Sequence, residues 1–301
     1  MSVYSHSETP LIIAGYQRSG TTFLRLHLMR WLSIAIPPES SFMTWLQPLY
    51  SDWVAQDNTS NRSEEFVRDL LLARKFNNWS LERADVLRHI REVRPGSYPN
   101  LIAEIYTLWS SQNHLGPCSW GDKNNIHGIH LAQLAQLYPN LRVVWLIRDP
   151  RAVRISERGI LESGYSGAAK ELQPSIDRST SGFLKKWIDY QETVHAALQA
   201  QGIPHVRLEF SELIQEPEKV VKAVGEAFSI EIRDEPLDRQ RLVQLLGSES
   251  EYPWKHRIAS LGTDQARETV IPEGLCAESI EILKGLRNYG PKSWIPTSFL
   301  A

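Results

Sequence analysis

Three groups of residues have the types and spacing to do chemistry. Arg18, Ser19, Gly20, Thr21 and Thr22 follow one another at a turn. A guanidinium, hydroxyls and exposed backbone N–H groups all favour a cluster of anionic oxygens. Arg148 and Ser156 form the second group. Arg148 stands at the carboxyl end of an apolar run, where open α/β sheets bind ligands, and Ser156 lies about two turns into the helix that follows. Together they could grip a second phosphate. Taken alone, the pair equally allows Arg148 to ion-pair with Asp149 or Glu157 and Ser156 to face water. Lys123 and Glu39 are the third group, each on a polar stretch beside an apolar one. A lysine can neutralise a leaving oxygen, and a carboxylate can take a proton from an attacking hydroxyl. By composition alone both are ordinary loop charges.

The elements that must position these groups are legible in outline. Leu11 to Ala14 is a short apolar run of strand type, Gly15 to Gly20 a turn, and from Thr21 the pattern is helical, with Phe23, Leu24, Leu28 and Trp31 near one face. A buried strand, a tight turn and a helix start make an anion cradle, because free N–H groups point into the turn. The spacing Gly15-x-x-x-x-Gly20 is that of a phosphate-binding P-loop, but Thr21 occupies the usual lysine position and the loop's cation is Arg18. Pro37-Pro38 ends the helical structure and leaves Glu39 on a loop. Residues 51–116 read as a helical insertion, with one helix opening at Asn61, a second capped by Ser80 and a third over Leu101–Trp109. Gly121 to Asn125 reads as a polar loop and Ile129 to Leu137 as a helix. Val143 to Ile147 is a continuous apolar strand of the kind buried in parallel sheets. Asp149 as cap and Pro150 as first residue start a helix there. A long helix over Phe183–Gln199, a strand over His205–Phe210, and helices over Glu216–Phe228 and Ala277–Arg287 follow. The alternation predicts an α/β fold, a P-loop-like doubly wound parallel sheet flanked by helices, with the helical insertion, all in a single domain over residues 1–301.

Composition narrows the classes. With 301 residues and a net charge of −2, there is no basic field for a nucleic-acid partner. No run of about 18 apolar residues suggests a transmembrane helix. Residues 1–10 lack the basic-then-apolar order of a signal peptide, so a cytoplasmic protein is expected. Cys118 and Cys276 read as free thiols. His127 and His130 read as two partly exposed histidines, without a third ligand nearby, and no metal is expected. Arg151, Arg154 and Arg158 read as a solvated stripe or as added positive field. The absence of Gly-x-Gly-x-x-Gly argues against a nicotinamide cofactor.

The three groups together resemble the sulfotransferases that use 3′-phosphoadenosine 5′-phosphosulfate (PAPS). Gln17 to Phe23 is similar to their 5′-phosphosulfate loop, in the arginine-containing form of the tyrosylprotein and many bacterial enzymes. Val144 to Arg151, leading to Ser156, resembles their 3′-phosphate motif. Gly121-Asp122-Lys123 resembles the family's lysine loop, and Leu208 to Leu213 its strand-end Tyr-Glu-Asp-Leu stretch. The likeness covers about residues 11–40, 119–160 and 205–230.

The resemblance implies roles. Arg18, Ser19, Gly20, Thr21 and Thr22 would hold the 5′-phosphosulfate, and Arg148 and Ser156 the 3′-phosphate. Phe23 would stack near the adenine. Phe210, standing where tyrosine is common, would stack without donating a hydrogen bond. Lys123 would stabilise the bridging oxygen together with Arg18. Glu39 would be the base, with Asp122 as runner-up, because Asn125 stands where the cytosolic small-molecule type has its histidine. The late Arg-Lys-Gly nucleotide motif is missing, with Trp254 to Arg257 as a substitute. The expected function is transfer of a sulfuryl group from PAPS to a hydroxyl or amine of an organic acceptor, leaving adenosine 3′,5′-bisphosphate and requiring no metal. The competing readings are a P-loop kinase-like phosphotransferase, disfavoured by the missing lysine, and a non-catalytic nucleotide-binding protein. The class of acceptor and the oligomeric state are not written in the sequence.

Overall fold

The structure is a computed structural model that describes residues 9–162, 176–247, 277–290 and 292–300. Its centre is β1 (Leu11–Ala14), apolar and buried at all four positions. Around it lie β2 (Ile34–Ala35), β3 (Ser119–Lys123), β4 (Arg142–Ile147) and β5 (His205–Glu209). The sheet order is β2-β3-β1-β4-β5, and every pairing is parallel. A strand covered on both faces has no solvent side to mark with polar residues, which is why β1 and β4 read as unbroken apolar runs. From β1 the chain winds one way through β2 and β3, then crosses β1 to lay down β4 and β5 on the other side. The winding therefore reverses between β1 and β4. In open α/β sheets the ligand crevice lies outside the carboxyl ends of the strands at such a point. The loop after β1 and Arg148 after β4 both open into it.

Helices flank the sheet. α1 (Thr21–Trp31) follows the loop after β1, with eight of its residues buried. Between β2 and β3 come α2 (Phe42–Trp45), α3 (Gln47–Tyr50), α4 (Asn61–Leu72), α5 (Arg83–Val93) and α6 (Tyr98–Gln112). Then follow α7 (Leu131–Leu137), α8 (Pro150–Glu162), α9 (Thr180–Ala200), α10 (Phe210–Gln215), α11 (Pro217–Phe228), α12 (Arg239–Gln244) and α13 (Ala277–Tyr289). Aromatic rings join the helices after β2 to the sheet. Phe42 lies 5.2 Å from Trp79, Trp79 4.9 Å from Tyr106, and Tyr106 4.4 Å from Trp120 of β3, centroid to centroid. Such pairs add about 0.5–1.5 kcal/mol each beyond the area they bury. Among the described residues, no helix is long and apolar enough to cross a membrane.

Several expectations change. Gly121, Asp122 and Lys123 are not loop residues but the carboxyl end of β3, buried with their side chains. Asp122 and Lys123 are accommodated there by polar partners, His127 and Glu39, which override strand propensity. β2, only two residues long, has no periodicity to read. Ser80 does not cap a helix; it takes a left-handed conformation (φ 53°) after a 3-10 turn, and α5 starts at Arg83. Ser60 caps α4 by accepting from the Arg62 N–H. Phe210 opens α10 rather than ending a strand. Residues 125–130 form a 3-10 turn before α7. Arg151 and Arg154 are buried, not a solvated stripe, and only Arg158 is exposed. His127 is fully buried rather than partly exposed.

Candidate active site

The loop after β1 is built by crowding. A side chain at Gly15 would bring its Cβ within 2.7 Å of Thr21 Cγ2. Gly20 has φ 91°, and a Cβ there would lie 2.1 Å from the Phe210 ring. Only glycine meets both conditions. The Ser19 N–H donates to the Tyr16 carbonyl at 3.1 Å and closes the turn, and the Leu24 N–H donates to Gly20 O at 3.0 Å and starts α1. Arg18 is itself left-handed (φ 66°), a strained conformation for a residue with a Cβ, and such strain clusters at ligand sites. No acidic residue sits in the first turn of α1, so the positive end of its dipole faces the loop unopposed from within the helix. The Ser19 hydroxyl is fully buried and has no hydrogen-bond partner.

The second group is physically joined to the first. Arg18 Nε donates to Ser156 Oγ at 3.1 Å, and Arg148 Nη1 donates to the Arg18 carbonyl at 2.9 Å. The Arg148 guanidinium lies 4.4 Å from the centre of the Phe210 ring, a cation–π contact. Arg148 does not pair with Asp149, whose carboxylate caps α8 through the Arg151 N–H at 2.8 Å and grips the Arg151 guanidinium at 2.7 Å. Burial, with Arg18 adding repulsion, pulls the Arg148 pKa down to about 10, which leaves it charged at neutral pH. Its Nε is buried without a partner. Gln17 and Glu157 also enter this clasp, paired with each other rather than Glu157 with Arg148. Gln17 Nε2 donates to Glu157 Oε1 at 2.7 Å, and burial pushes the Glu157 carboxyl up to about 7. Arg154, beside it, ties α8 to α13 through Glu278 at 2.7 Å. Phe23, nearly buried, meets His27 at 4.3 Å and the edge of Phe210 at 6.1 Å between ring centres. Thr21 is buried and Thr22 half-buried.

The third group lies one strand over. β3 pairs with β1 so that Lys123 is level with Ile13, two residues before Gly15. Lys123 Nζ donates to Glu39 Oε2 at 3.1 Å, and Lys75 Nζ stands 3.8 Å from the same oxygen. Burial lowers the Lys123 pKa, and the Glu39 carboxylate opposes that shift. Asp122, the alternative base, is fully buried. Its Oδ2 meets His127 Nε2 at 2.8 Å and its Oδ1 accepts the Lys123 N–H at 2.6 Å. Both its oxygens are therefore committed inside the protein. Arg25, buried on α1, donates to the carbonyls of Ile36 at 2.6 Å and Leu245 at 2.6 Å. Burial drops its pKa to about 9 against the pull of Asp122 and Glu39. An arginine set between Leu24 and Leu26 on a helix buried on most sides was the available sequence signal.

Among the described residues, no group of three or more His, Cys, Asp or Glu stands close enough to hold a metal ion. Cys118 is a free thiol, which burial pushes above the usual thiol range. Trp254 to Arg257 and Cys276 lie outside the described residues.

Known proteins similar to this chain are sulfotransferases. The profile of the sulfotransferase family matches residues 10–234, which span all three groups. A candidate protein-tyrosine sulfotransferase of Caenorhabditis briggsae is 24% identical over 249 residues, 79% of this chain and 72% of that protein. Two solved structures are similar over most of their length. The sulfotransferase domain of the Synechococcus PCC 7002 olefin synthase has a TM-score of 0.49 at 16% identity, covering 96% of each chain. A sulfotransferase from Alicyclobacillus acidocaldarius has a TM-score of 0.43 at 14% identity, covering 84% of this chain and 96% of that one.

Proposed function

The chain belongs to the sulfotransferase family, and we propose that it moves a sulfuryl group from PAPS to a hydroxyl, or an amine, of an organic acceptor. The observation that carries this reading is the clasp between the two anion-holding groups, Arg18 to Ser156 and Arg148 to the Arg18 carbonyl. It brings two sets of donors into one crevice, as a nucleotide with phosphate on both sides of its ribose requires. The unpartnered Ser19 hydroxyl and Arg148 Nε are buried donors of the kind such a ligand would satisfy.

In this reading Arg18, Ser19, Gly20, Thr21 and Thr22 hold the 5′-phosphosulfate, and Arg148 and Ser156 hold the 3′-phosphate. Phe23 and Phe210 offer ring edges and faces to the adenine side. The donor supplies an activated sulfuryl group whose transfer, like phosphoryl transfer, is loose and in-line, so the protein's work is positioning and charge stabilisation. Arg18, Lys123 and the start of α1 meet the charge that grows on the leaving phosphate. Glu39 accepts the acceptor's proton at its carboxylate, and the Lys123 ammonium 3.1 Å away orients it. Asp122 serves as the partner of His127 and of the β3 backbone. A free thiol at Cys118 suits a cytoplasmic, reducing setting.

Calorimetric titration with adenosine 3′,5′-bisphosphate and with ATP–magnesium, followed by a sulfate-transfer assay, tests the proposal. Tight bisphosphate binding with transfer to an acceptor is the expected result. Preference for ATP–magnesium would point to a phosphotransferase, and bisphosphate binding without transfer to a non-catalytic binder.

A further inference from the structure

The turn after α4 grips the loop that carries Glu39, residue against residue. The Ser40 hydroxyl donates to the Arg74 carbonyl at 3.1 Å, Lys75 Nζ stands 3.8 Å from Glu39 Oε2, and Trp79 Nε1 donates to the Pro38 carbonyl at 2.7 Å. Consecutive residues Pro38, Glu39 and Ser40 are thus each held by one short stretch, 74–79. That stretch is itself anchored. Phe76 and Trp79 are buried and lie 5.4 Å and 5.2 Å from the Phe42 ring, centroid to centroid. Lys75 opens their 3-10 turn, its carbonyl accepting the Asn78 N–H at 3.1 Å. Its backbone is left-handed, φ 65°, where a glycine would sit with less strain. Arg94 and Ser229 share that conformation where it closes a helix. Lys75 differs from them in where its side chain goes: 15% exposed, it runs to the carboxylate of the candidate base.

Glu39 meets positive charge from three elements. Lys123 of β3 is 3.1 Å away, Lys75 is 3.8 Å away, and Arg25 on α1 feels its charge. Arg25 is committed to the carbonyls of Ile36 and Leu245. Arg74, beside Lys75, is exposed. Asp122, beside Lys123, spends its oxygens on His127 and on the Lys123 N–H. The two lysines share one carboxylate oxygen and feel each other. Burial lowers the Lys123 pKa, Glu39 opposes that shift, and Lys75 adds to it. In the reaction proposed above, Lys123 has a second task, at the charge that grows on the leaving phosphate. Glu39 must be ionised before it can take the acceptor's proton. A bound nucleotide brings negative charge into the crevice and draws on Lys123, and both effects make Glu39 hold a proton more tightly. A second cation on the same oxygen opposes them.

We propose that Lys75 is a positioning residue for the candidate base: it holds Glu39 ionised and in place while Lys123 turns to the bridging oxygen of the nucleotide. This rests on the sulfotransferase reading above and adds to it a residue from the helical layer between β2 and β3. Lys75 keeps its own protons throughout. The acceptor's proton passes to the Glu39 carboxylate as the acceptor atom forms its bond to sulfur. The electron pair of the broken bond between sulfur and the bridging oxygen leaves with adenosine 3′,5′-bisphosphate.

The test is a pH titration of Glu39 by NMR in protein carrying carbon-13 at its glutamate carboxyls, the Glu39 signal being the one lost in Glu39→Gln. Lys75→Gly removes the ammonium and relieves the left-handed backbone, so a melting curve close to that of the parent is expected for it. Glu39 should bind its proton about tenfold more tightly in Lys75→Gly than in the parent, the size expected for losing one opposite charge at this distance. The excess should grow when adenosine 3′,5′-bisphosphate is bound, and Lys75→Arg should restore the parental titration. A merely structural role for Lys75 would leave the Glu39 titration where it is. An equal titration in parent and Lys75→Gly overturns the inference, as does an excess that fails to grow with bisphosphate. Either result leaves the donor reading intact when bisphosphate still binds; a parent that does not bind bisphosphate overturns both.

Discussion

The two sides of the crevice are built differently. On the donor side, the loop after β1 is clasped to α8 and β4 by short polar contacts: Gln17 to Glu157 at 2.7 Å, Arg148 to Arg18 at 2.9 Å, Arg18 to Ser156 at 3.1 Å. Gly20 leaves no room for even a methyl group against Phe210. On the side of the proposed base Glu39, which lies on the loop before α2, helices α2 to α6 pack through aromatic rings and leave Trp45 and Leu72 open to solvent. The contrast fits the proposed phosphate cradle. Phosphate oxygens need N–H groups and cations at fixed positions, so the backbone itself is committed. A helical layer that packs through side chains alone can exchange them without disturbing the sheet.

If that division is right, substitutions on the two sides separate cleanly in what they damage. The largest loss of nucleotide binding is expected at Gly20. Gly20→Val combines an unfavourable positive φ with a collision against the Phe210 ring, and bisphosphate affinity by calorimetry should fall at least about 100-fold. Adding Phe210→Ala relieves the collision but not the backbone strain, so recovery should be partial. Complete recovery would contradict the role given to the backbone. Arg148→Ala should cost about 10- to 100-fold in bisphosphate affinity, the range for losing charge-assisted hydrogen bonds, with much less effect on adenosine 5′-monophosphate. Equal losses for both ligands would show that Arg148 supports the loop rather than reading the 3′-phosphate. Thermal melting of Glu157→Gln gives the smallest and most specific effect. Burial raises the Glu157 pKa to about 7 from an ordinary 4.5, so the folded state holds its proton longer than the unfolded chain does. Stability from this group is complete below about pH 4.5 and falls as pH rises toward 7. The variant should therefore match the parent near pH 4.5 and exceed it at pH 8, by about 1–2 kcal/mol. A constant difference across that range would mean that Glu157 does not titrate there.

The same division governs what could be read from the sequence. β1, the glycine-bounded turn, α1, β4 and the Asp149–Pro150 helix start were all legible, because local patterns determine them. Asp149 does cap α8. The polar end of β3 was not, since Asp122 is tolerated in a buried strand only through His127, five residues on, and through its own chain's N–H. Arg154 looked solvated because its partner Glu278 is 124 positions away in sequence. Lys75 could not be connected to Glu39 for the same reason. The residues of the proposed anion-holding groups could be named from the sequence; the hydrogen bonds that join Arg18 to Ser156 and Arg148 to the loop became visible only in three dimensions.

The central claim is that a nucleotide cradle and a separate base, Glu39, share one crevice. Single-turnover sulfuryl transfer by Glu39→Gln, measured with bisphosphate titration of the same protein, tests it most directly. The account predicts that transfer falls by about 100-fold or more while bisphosphate affinity stays within twofold. Transfer at the parental rate, or a loss of bisphosphate binding that matches the loss of transfer, would contradict it.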